Sequence, residues 1–244
     1  MMILTGTNIR KTYRNSDIEA QVLKGIDIEL KEGEFVCIMG RSGSGKSTLL
    51  NALSTLDRFD EGEVQFEGTR ISQLSDEKAS KLRRESFGFV FQLPKMVRNL
   101  SILDNIILPS TLYAKDKQGA ISKARTLMRR VGIEDLADKK SSQASGGQLQ
   151  RAGICRALIN DPKLIFADEP TGALDSKSGQ EVLELFSSLR SEGRTLLLVT
   201  HDINVAVRAD RVVFMKDGLL HKEVRLGTDE EDNLSLIQDA LHQL

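Results

Sequence analysis

A glycine-rich segment near the start of the chain has the composition of a phosphate-binding loop. It reads Gly40-Arg41-Ser42-Gly43-Ser44-Gly45-Lys46-Ser47-Thr48. Glycines let successive backbone N–H groups point at one phosphate, and the N-terminus of the helix that follows favours an anion. In this pattern Lys46 neutralises the outer phosphates of a nucleotide, and the hydroxyl of Ser47 ligates Mg²⁺. The loop follows a predicted strand and opens a predicted helix, a context that argues against a chance match.

Two adjacent carboxylates follow an apolar segment in the second half of the chain. Residues 164–167 predict a buried strand, and Asp168 and Glu169 stand at its end. Asp168 suits a role beside Mg²⁺, and Glu169 suits a base that orients and deprotonates an attacking water. Adjacent acids at a strand end are more often solvated surface residues. A phosphate loop in the same chain makes catalysis the better interpretation.

A second glycine turn, Ser145-Gly146-Gly147-Gln148, runs into a predicted helix over residues 148–159. It offers a helix N-terminus and a hydroxyl, but no lysine. On local evidence alone, a plain helix start explains this turn better than an anion site does.

The elements that must position these residues alternate between strands and helices. Ser101, with Asp104 three residues later, predicts a helix N-cap. Leu234, Ile237, Leu241 and Leu244 recur at helical spacing and predict a docked terminal helix. The alternation of strands and helices along the chain predicts an α/β fold with a mainly parallel sheet covered on both faces. The predicted strands are 22–30, 35–39, 62–71, 87–91, 164–167, 195–199 and 211–215; the helices are 46–56, 75–85, 103–112, 119–131, 148–159, 178–191 and 203–208.

The composition excludes several classes of protein. The 244 residues are 40% hydrophobic and 28% charged with a net charge of −1, so no basic field draws the chain to nucleic acid. Cys37 and Cys155 form no CxxC pair, which predicts reduced core residues and a cytoplasmic setting. No apolar run approaches the roughly 18–20 residues that span a bilayer, and the first residues lack a signal peptide. We therefore expect any link to a membrane to run through a partner.

Taken together, the motifs resemble those of an ABC-transporter ATPase subunit. The resemblance covers residues 4 to about 220, and the order and spacing of its motifs are highly specific. It implies a single domain over residues 1–244. A P-loop NTPase (RecA-like) core with an antiparallel β subdomain occupies about 1–92 and 161–227, a helical subdomain about 93–160, and a C-terminal helix about 228–244. The motifs are the phosphate loop, Gln92, Ser145-Gly146-Gly147-Gln148, Asp168-Glu169, Ala173-Leu174-Asp175 and His201.

The resemblance implies a role for each matched residue. Tyr13 would stack on adenine, and Gln92 would reach Mg²⁺ and the attacking water. The turn from Ser145 to Gln148 would close over the γ-phosphate of ATP bound to a second subunit. Asp175 would cross the dimer interface, and His201 would contact the γ-phosphate. The resemblance thus implies three sets of residues. The catalytic residues are Lys46, Gln92, Glu169 and His201, and the residues that bind Mg²⁺ are Ser47, Gln92 and Asp168. The residues that bind ATP are Tyr13, Ser42, Gly43, Ser44, Gly45, Lys46, Ser47, Thr48, Gln92, Ser145, Gly146, Gly147, Gln148 and Asp175.

The sequence departs from the family pattern at three places. Ala144 stands where Leu is usual, and Gly172 stands where Ser is usual before Ala173-Leu174-Asp175. Neither change removes a phosphate ligand, so we expect activity to survive both. The third departure is from a narrower group within the family, the macrolide-exporter, lipoprotein-release and bacitracin-resistance ATPases. Their usual aromatic-Asn-Leu stretch is missing from the segment Leu93-Pro94-Lys95-Met96-Val97-Arg98, which is the segment expected to meet the membrane partner.

Finer features look like the macrolide-exporter, lipoprotein-release and bacitracin-resistance group of ATPases. They include Val22-Leu23-Lys24-Gly25-Ile26 and the run from Gly172 to Ser178. The group implies an ATP-bound homodimer, or a pair with a similar subunit, that drives a permease contacted near Leu93 to Ile106. The cargo would be an antimicrobial peptide, lipid-like molecule or drug, and the subunit would lie at the cytoplasmic face of the cell membrane.

Two other functions are compatible with the same motifs. One is an ATPase of a membrane signalling, cell-wall or division complex without net transport, which sequence separates poorly from a transporter. The other is a non-transport ABC ATPase acting on DNA or ribosomes. Its usual coiled-coil insertion or second ATPase domain is missing here, and no large basic patch is present. We therefore expect no nucleic-acid partner.

Overall fold

The computed structural model describes residues 1–15, 18–111 and 116–243. The chain forms two compact units. Unit 1 comprises Met1–Ala79 and Arg190–Leu244, and unit 2 comprises Ser80–Leu189.

Strands and helices alternate along the described residues. The strands are β1 Met2–Asn15, β2 Ile18–Lys31, β3 Phe35–Met39, β4 Glu61–Phe66, β5 Thr69–Arg70, β6 Phe87–Phe91, β7 Leu164–Asp168, β8 Thr195–Thr200, β9 Arg211–Lys216 and β10 Leu219–Arg225. The helices are α1 Lys46–Leu53, α2 Asp76–Ser86, α3 Ile102–Thr111, α4 Lys117–Arg130, α5 Gly146–Leu158, α6 Ser176–Ser191, α7 Ile203–Ala206 and α8 Glu230–His242. Short 3₁₀ turns lie at Glu134–Leu136 and Ser141–Gln143.

Unit 1 contains parallel and antiparallel strand pairs in different places. β1, β2, β4 and β5 are antiparallel, in the order β2-β1-β4-β5. β3 is parallel to β8 on one side and to β9 on the other, and β10 pairs antiparallel with β9. All five residues of β3 are buried, as a continuous apolar strand in a parallel sheet requires. β3 is therefore a central strand, and its carboxyl end leads into the phosphate loop.

Unit 2 combines one parallel strand pair with a helical core. β6 and β7 run parallel, with Phe87 opposite Leu164 and Phe91 opposite Asp168. Helices α3, α4 and α5 pack around a shared apolar cluster that includes Ile106, Met128 and Cys155. The predicted α/β class is therefore confirmed: β3 and β6 pair in parallel with their neighbours, and β1, β2, β4 and β5 form a separate antiparallel sheet.

Most predicted elements are present, and their ends differ where local backbone geometry intervenes. The helix predicted over residues 46–56 ends at Leu53, because Thr55 adopts a left-handed φ of 59° and the chain turns there. The helix predicted over residues 203–208 ends at Ala206. Leu112, the predicted last residue of the helix at 103, lies outside the described residues. β1 and β10 were not predicted as strands.

Two local predictions are confirmed. The hydroxyl of Ser101 accepts a hydrogen bond from the backbone N–H of Asp104 at 3.0 Å, as an N-cap does. The terminal helix α8 is docked through Asn233, Ile237 and Ala240, which are buried. Leu234 and Leu241 are half-buried, and Leu244 lies outside the described residues.

The cysteines lie in the core, as predicted. Cys37 and Cys155 are both buried. Burial raises the pKa of the Cys155 thiol to about 12, so this thiol stays protonated at neutral pH.

Candidate functional site

The phosphate loop, residues 40–48, joins the buried strand β3 to helix α1 in unit 1. Gly45 precedes the helix with a φ of 105°, a conformation that favours glycine. A Cβ on residue 40 would lie 2.2 Å from the backbone oxygen of Met215, so no side chain fits there. The loop is further held by a hydrogen bond of 3.1 Å from the N–H of Gly218 to the oxygen of Ser44. These contacts require glycine at both places and keep the loop compact at the start of the helix.

Lys46 folds back over this loop. Its ammonium donates to the backbone oxygens of Gly40 at 2.9 Å and Arg41 at 3.1 Å, and the residue is only 6% exposed. The hydroxyl of Ser44 is also buried and has no hydrogen-bond partner among the described residues. Ser42, Gly43 and Ser47 are exposed. The loop thus combines a buried cation with accessible groups at a helix N-terminus, which is the chemistry of a phosphate site.

Tyr13 lies beside the phosphate loop, anchored by polar neighbours. Its phenol donates to the carboxylate of Asp57 at 2.9 Å, and the ammonium of Lys11 lies 4.9 Å from the ring centroid. Burial and the bond to Asp57 raise the pKa of Tyr13, although a hydrogen bond with the side chain of Thr48 opposes them. Burial alone would raise the pKa of Asp57, but hydrogen bonds from Tyr13 and Lys11 outweigh it and lower that pKa. Tyr13 remains 45% exposed, so part of the anchored side chain is accessible to solvent.

His201 lies on the same edge of the sheet as the phosphate loop. It follows β8, whose last residue Thr200 pairs with Met39, the residue before the loop. Asp202 caps the short helix α7 by accepting from the N–H of Asn204 at 2.9 Å. Because β3 and β8 are parallel neighbours, their carboxyl ends bring His201 and Gly40 to adjacent positions.

Residues that sequence reasoning missed border the loop on another side. A pocket of about 670 Å³ is lined by residues 40–44, by Met215–Asp217 and by Leu241 and His242 of helix α8. The loop residues were predicted, but nothing in the sequence pattern of α8 indicates that its last turn reaches them.

In unit 2 the acidic pair lies beside Gln92. Phe91 is paired with Asp168, so Gln92 and Glu169 follow at the carboxyl ends of two parallel strands. Asp168 and Glu169 are half-buried, while Gln92 is exposed. Glu169 has a φ of 45°, which is uncommon for a residue other than glycine. The carboxylates of Asp168 and Glu169 and the amide of Gln92 are therefore brought together at the carboxyl ends of β6 and β7.

The loop after Glu169 is packed closely against Gln92. The N–H of Gly172 donates to the oxygen of Glu169 at 3.1 Å. A Cβ on residue 172 would lie 3.0 Å from Nε2 of Gln92. The glycine that replaces the usual serine thus leaves room for the amide of Gln92.

The signature turn, Ser145-Gly146-Gly147-Gln148, is the start of helix α5. The hydroxyl of Ser145 accepts from the N–H of Gln148 at 3.3 Å, and Oε1 of Gln148 accepts from the N–H of Ser145 at 2.9 Å. This reciprocal pair is a capping box. Ser145 and Gly146 are exposed. The local reading as a helix start is therefore correct, and it leaves an accessible helix N-terminus with a hydroxyl.

Asp175 is tied to the signature turn through Ser178. Its carboxylate accepts from the N–H of Ser178 at 3.0 Å and from the hydroxyl of Ser178 at 2.8 Å. The N–H of Ser178, more than its hydroxyl, lowers the pKa of Asp175. A Cβ on residue 147 would lie 2.5 Å from Oγ of Ser178, so only glycine fits at that position of the turn.

The predicted site residues thus fall into two groups. Unit 1 carries Tyr13, Ser42, Gly43, Ser44, Gly45, Lys46, Ser47, Thr48 and His201, and unit 2 carries Gln92, Ser145, Gly146, Gly147, Gln148, Asp168, Glu169 and Asp175. The described residues contain no cluster of three or more His, Cys, Asp or Glu side chains that could hold a metal. None of the described helices has the length and apolar character needed to cross a bilayer.

The sequence matches the family model described as ABC transporter over residues 23–172. It is 41% identical over 242 residues to the bacitracin export ATP-binding protein BceA of Halalkalibacterium halodurans, covering 99% of this chain and 95% of that protein. It is 47% identical over 211 residues to the macrolide export ATP-binding/permease protein MacB of Pasteurella multocida, covering 86% of this chain. The chain spans about a third of that MacB protein, 32% of its length.

Solved structures give the same family. A dimeric post-hydrolysis state of the ATP-binding cassette MJ0796, bound to ADP and Pi, superposes with a TM-score of 0.86 at 39% identity. The match covers 93% of this chain and 100% of the other. MJ0796 is a protein of Methanocaldococcus jannaschii. The chain belongs to the ABC transporter family, as one of its ATP-binding cassettes.

Proposed function

We propose that this chain binds ATP with Mg²⁺ and hydrolyses it to drive a membrane permease. The observation that carries the proposal is the phosphate loop. Gly40 has no room for a side chain, Gly45 has a backbone that favours glycine, and Lys46 is buried over the loop carbonyls. This combination of glycines, buried cation and helix N-terminus is the one that the phosphate chain of a nucleotide requires.

The chain's own residues can hold the nucleotide at both ends. The N–H groups of residues 42–48 and the ammonium of Lys46 bind the phosphates, and Lys46 leaves its carbonyl partners when a phosphate competes for it. The exposed side chain of Tyr13 offers a ring for adenine. Its tether to Asp57 lowers the entropy lost on stacking, because the ring is already held in place.

Mg²⁺ would be held by Ser47, Gln92 and Asp168 together with phosphate oxygens. The three side chains present a hydroxyl, an amide oxygen and a carboxylate, which are the oxygen donors that Mg²⁺ prefers. With only one carboxylate, such a set depends on phosphate to complete it. When bound, the ion supplies charge neutralisation at the phosphate oxygens.

Glu169 is the proposed base and His201 the proposed contact to the γ-phosphate. The half-buried carboxylate of Glu169 stands at the carboxyl end of β7, next along the chain to Asp168. It accepts a proton from the attacking water and holds that water in line with the phosphate. His201 donates a hydrogen bond to the γ-phosphate, and this bond forms only while the γ-phosphate is bound.

A second copy would complete each site with its signature turn. Ser145 and Gly146 are exposed at the N-terminus of the 13-residue helix α5, where an anion is favoured. MJ0796, the dimeric cassette with ADP and Pi, supports this arrangement. A similar ATPase subunit could take the place of the second copy.

The permease would contact the segment from Leu93 to Ile106. Leu93 is 67% exposed and Val97 is 46% exposed, and Lys95 and Arg98 add two exposed cations between and beside them. This apolar surface with basic neighbours fits a short amphipathic helix that carries acidic residues. The contact would place the chain at the cytoplasmic face of the membrane. The similarity to the bacitracin export protein BceA and the macrolide export protein MacB supports export of an antimicrobial peptide or drug.

The base assignment is tested with Glu169→Gln. This change should preserve ATP binding, trap a closed dimer and lower turnover by about 10²–10⁴-fold, the usual range for a general base. Steady-state ATP hydrolysis and light scattering with ATP present measure the two effects. Glu184→Gln, at an exposed carboxylate of helix α6, is the matched control and should leave turnover unchanged. Near-normal hydrolysis by Glu169→Gln would show that Glu169 is not the base.

The permease contact is tested with Leu93→Glu combined with Val97→Glu. Added carboxylates at these positions should release the subunit from washed membranes of the native cell, while ATP hydrolysis by the purified chain continues. Leu236→Glu is the control, because Leu236 is also an exposed leucine, 45% exposed, but lies on helix α8. Retention of the double variant on the membranes would place the contact elsewhere.

A further inference from the structure

Helix α5 connects the signature turn to the backbone that carries Gln92. Gln150, in the second turn of the helix, donates from Nε2 to the backbone oxygen of Phe91 at 3.0 Å. Gln150 is fully buried. Phe91 is the last residue of β6, and Gln92 is the next residue along the chain. One hydrogen bond therefore separates the helix of the signature turn from the peptide of Gln92.

The hydrogen bond to Phe91 explains why a polar residue stands at the buried position of Gln150. Only the NH₂ group of the amide can pair with a carbonyl, so the orientation of the side chain is fixed. Its Oε1 is buried without a hydrogen-bond partner among the described residues. A buried, unpaired acceptor destabilises the fold. An apolar residue would fill the space without that cost, so the bond to Phe91 accounts for the amide.

Other contacts on the same face of α5 follow the same path. Gly153 lies against Pro94: a Cβ added to residue 153 would lie 3.6 Å from the Cβ of Pro94. Arg156 donates from Nη1 to the backbone oxygen of Lys95 at 2.6 Å. Gln150, Gly153 and Arg156 recur every three residues, so one side of the helix follows the chain from Phe91 to Lys95. Contacts of α5 therefore reach this segment at three successive places.

We propose that Gln150 is a positioning residue that couples the two ATP sites of the dimer. The inference rests on the proposed function, in which Ser145 of one copy serves the ATP of the second copy while Gln92 serves its own. When Ser145 engages a γ-phosphate, α5 is held in place, and the bond from Gln150 holds the peptide of Gln92. ATP binding at one site thereby fixes the position of Gln92 at the other site, through the buried amide of Gln150.

The experiment compares Gln150→Met with the unaltered chain. Methionine has a similar length and no N–H, so it removes the bond to Phe91 and fills the same space. We expect the Mg²⁺ concentration for half-maximal ATP hydrolysis to rise roughly fivefold, the equivalent of one hydrogen bond. The Hill coefficient for ATP should fall towards 1. Where the methionine variant does not fold, Gln150→Asn keeps the amide but is too short to reach Phe91, and the same results are expected.

Asn160→Leu is the matched control. Asn160 donates from Nδ2 to the backbone oxygen of Arg84 at 2.9 Å, so it too joins an amide to another backbone segment of unit 2. Its loss should lower thermal stability but leave the Mg²⁺ dependence and the Hill coefficient unchanged. An equal change in both properties for the two variants would show a general structural effect and overturn the proposal.

A double-mutant cycle with Gln92→Ala separates the inference from the function on which it rests. If Gln150 acts through Gln92, adding Gln150→Met to Gln92→Ala should change the Mg²⁺ dependence no further. Multiplicative effects would overturn the coupling and leave the role of Gln92 intact. If Gln92→Ala alone leaves the Mg²⁺ dependence unchanged, the proposed role of Gln92 fails, and the coupling fails with it.

Discussion

Glu169 is one of six described residues other than glycine that have a positive φ. Its φ of 45° is left-handed, and such conformations in residues other than glycine concentrate at functional sites. The turn is held by the hydrogen bond from Gly172 to the oxygen of Glu169. The conformation bends the chain directly after β7, so the carboxylate leaves the line of the buried strand. The proposed role of Glu169 therefore rests on its carboxylate and its place after β7, and the left-handed backbone fits that role.

At the residue scale, Tyr13 gives a direct test of nucleotide binding. Tyr13→Ala should weaken ATP binding by about 5- to 150-fold, since stacking on a base contributes about 1–3 kcal/mol. Isothermal titration calorimetry measures the change. Tyr13→Phe keeps the ring and loses only the hydrogen bonds of the phenol, those with Asp57 and Thr48, so it should bind within about threefold of the unaltered chain. If the two variants lose equal affinity, the phenol network and not the ring is what ATP requires.

Residue types were predictable from the sequence, but their side-chain partners were not. The spacing of Gly40, Gly45 and Lys46 is a property of the local chain, so a phosphate loop could be predicted. The hydrogen bonds of Gln150 to Phe91 and of Arg156 to Lys95 join residues about 60 positions apart. No local pattern reports such a contact, because it depends on how helix and strand pack. The whole path along α5 was therefore found only in the structure.

At the element scale, strands with continuous apolar runs were predicted accurately. β3 and β6 have the predicted bounds, residues 35–39 and 87–91, because both consist of consecutive buried or half-buried residues between turn signals. β10 was missed because exposed and half-buried residues alternate along it, and His221, Lys222 and Glu223 lie at its centre. β10 is a strand because its backbone pairs with β9, and this pairing is not visible in the sequence of β10 alone.

Arg211, the first residue of β9, binds groups on neighbouring strands and turns. Its guanidinium pairs with Glu34 at 2.7 Å and with Glu223 at 2.7 Å, and it donates to the backbone oxygen of Glu29. The side chain of Arg211 is only 8% exposed and that of Glu34 is 10% exposed. Loss of one partner would leave a charge buried without its pair, which is costly. The network therefore links β9 to β10, to the end of β2 and to the turn before β3.

This network predicts a pH-dependent stability. Burial alone would raise the pKa of Glu34, but hydrogen bonds from Arg211 and from the N–H of Lys31 outweigh it and lower that pKa. The depressed pKa means that the ionised carboxylate stabilises the fold. That stability is present above the ordinary pKa of about 4.5 and is lost as the pH falls through the folded value. Glu34→Gln should therefore cost about 1–3 kcal/mol at pH 7, and less as the pH approaches the folded pKa.

Urea unfolding at several pH values measures this difference. Glu61→Gln is the control, because Glu61 pairs with Arg10 at 3.7 Å and its side chain is 69% exposed. Exposed pairs contribute little, so the control should change stability by less than about 0.5 kcal/mol at any pH. A cost for Glu34→Gln that stays constant down to pH 3 would show that ionisation of Glu34 is not its source.

At the scale of the whole molecule, the proposed function assigns the residues of one reaction to two copies of the chain. The sequence indicated the sharing only through the resemblance, since Ser145 alone reads as a helix cap. The structure shows why: the hydroxyl of Ser145 does cap α5, at 3.3 Å from the N–H of Gln148. Capping and anion binding use the same exposed helix N-terminus. A phosphate would take over the N–H groups that the cap now satisfies.

Ser145→Arg tests whether each site is shared between copies. The long cationic side chain should prevent the signature turn from closing over a second copy's ATP, while the phosphate loop of each copy still binds ATP. Turnover should then fall to background with ATP affinity unchanged. Ser122→Arg, on the exposed face of helix α4, carries the same added charge and should remain active. In the unaltered chain, the rate per subunit should rise with protein concentration as dimers form, because a single copy lacks half of each site. A rate per subunit that is independent of concentration, without dimers or a permease present, would mean that one copy hydrolyses ATP by itself, and the shared site would be wrong.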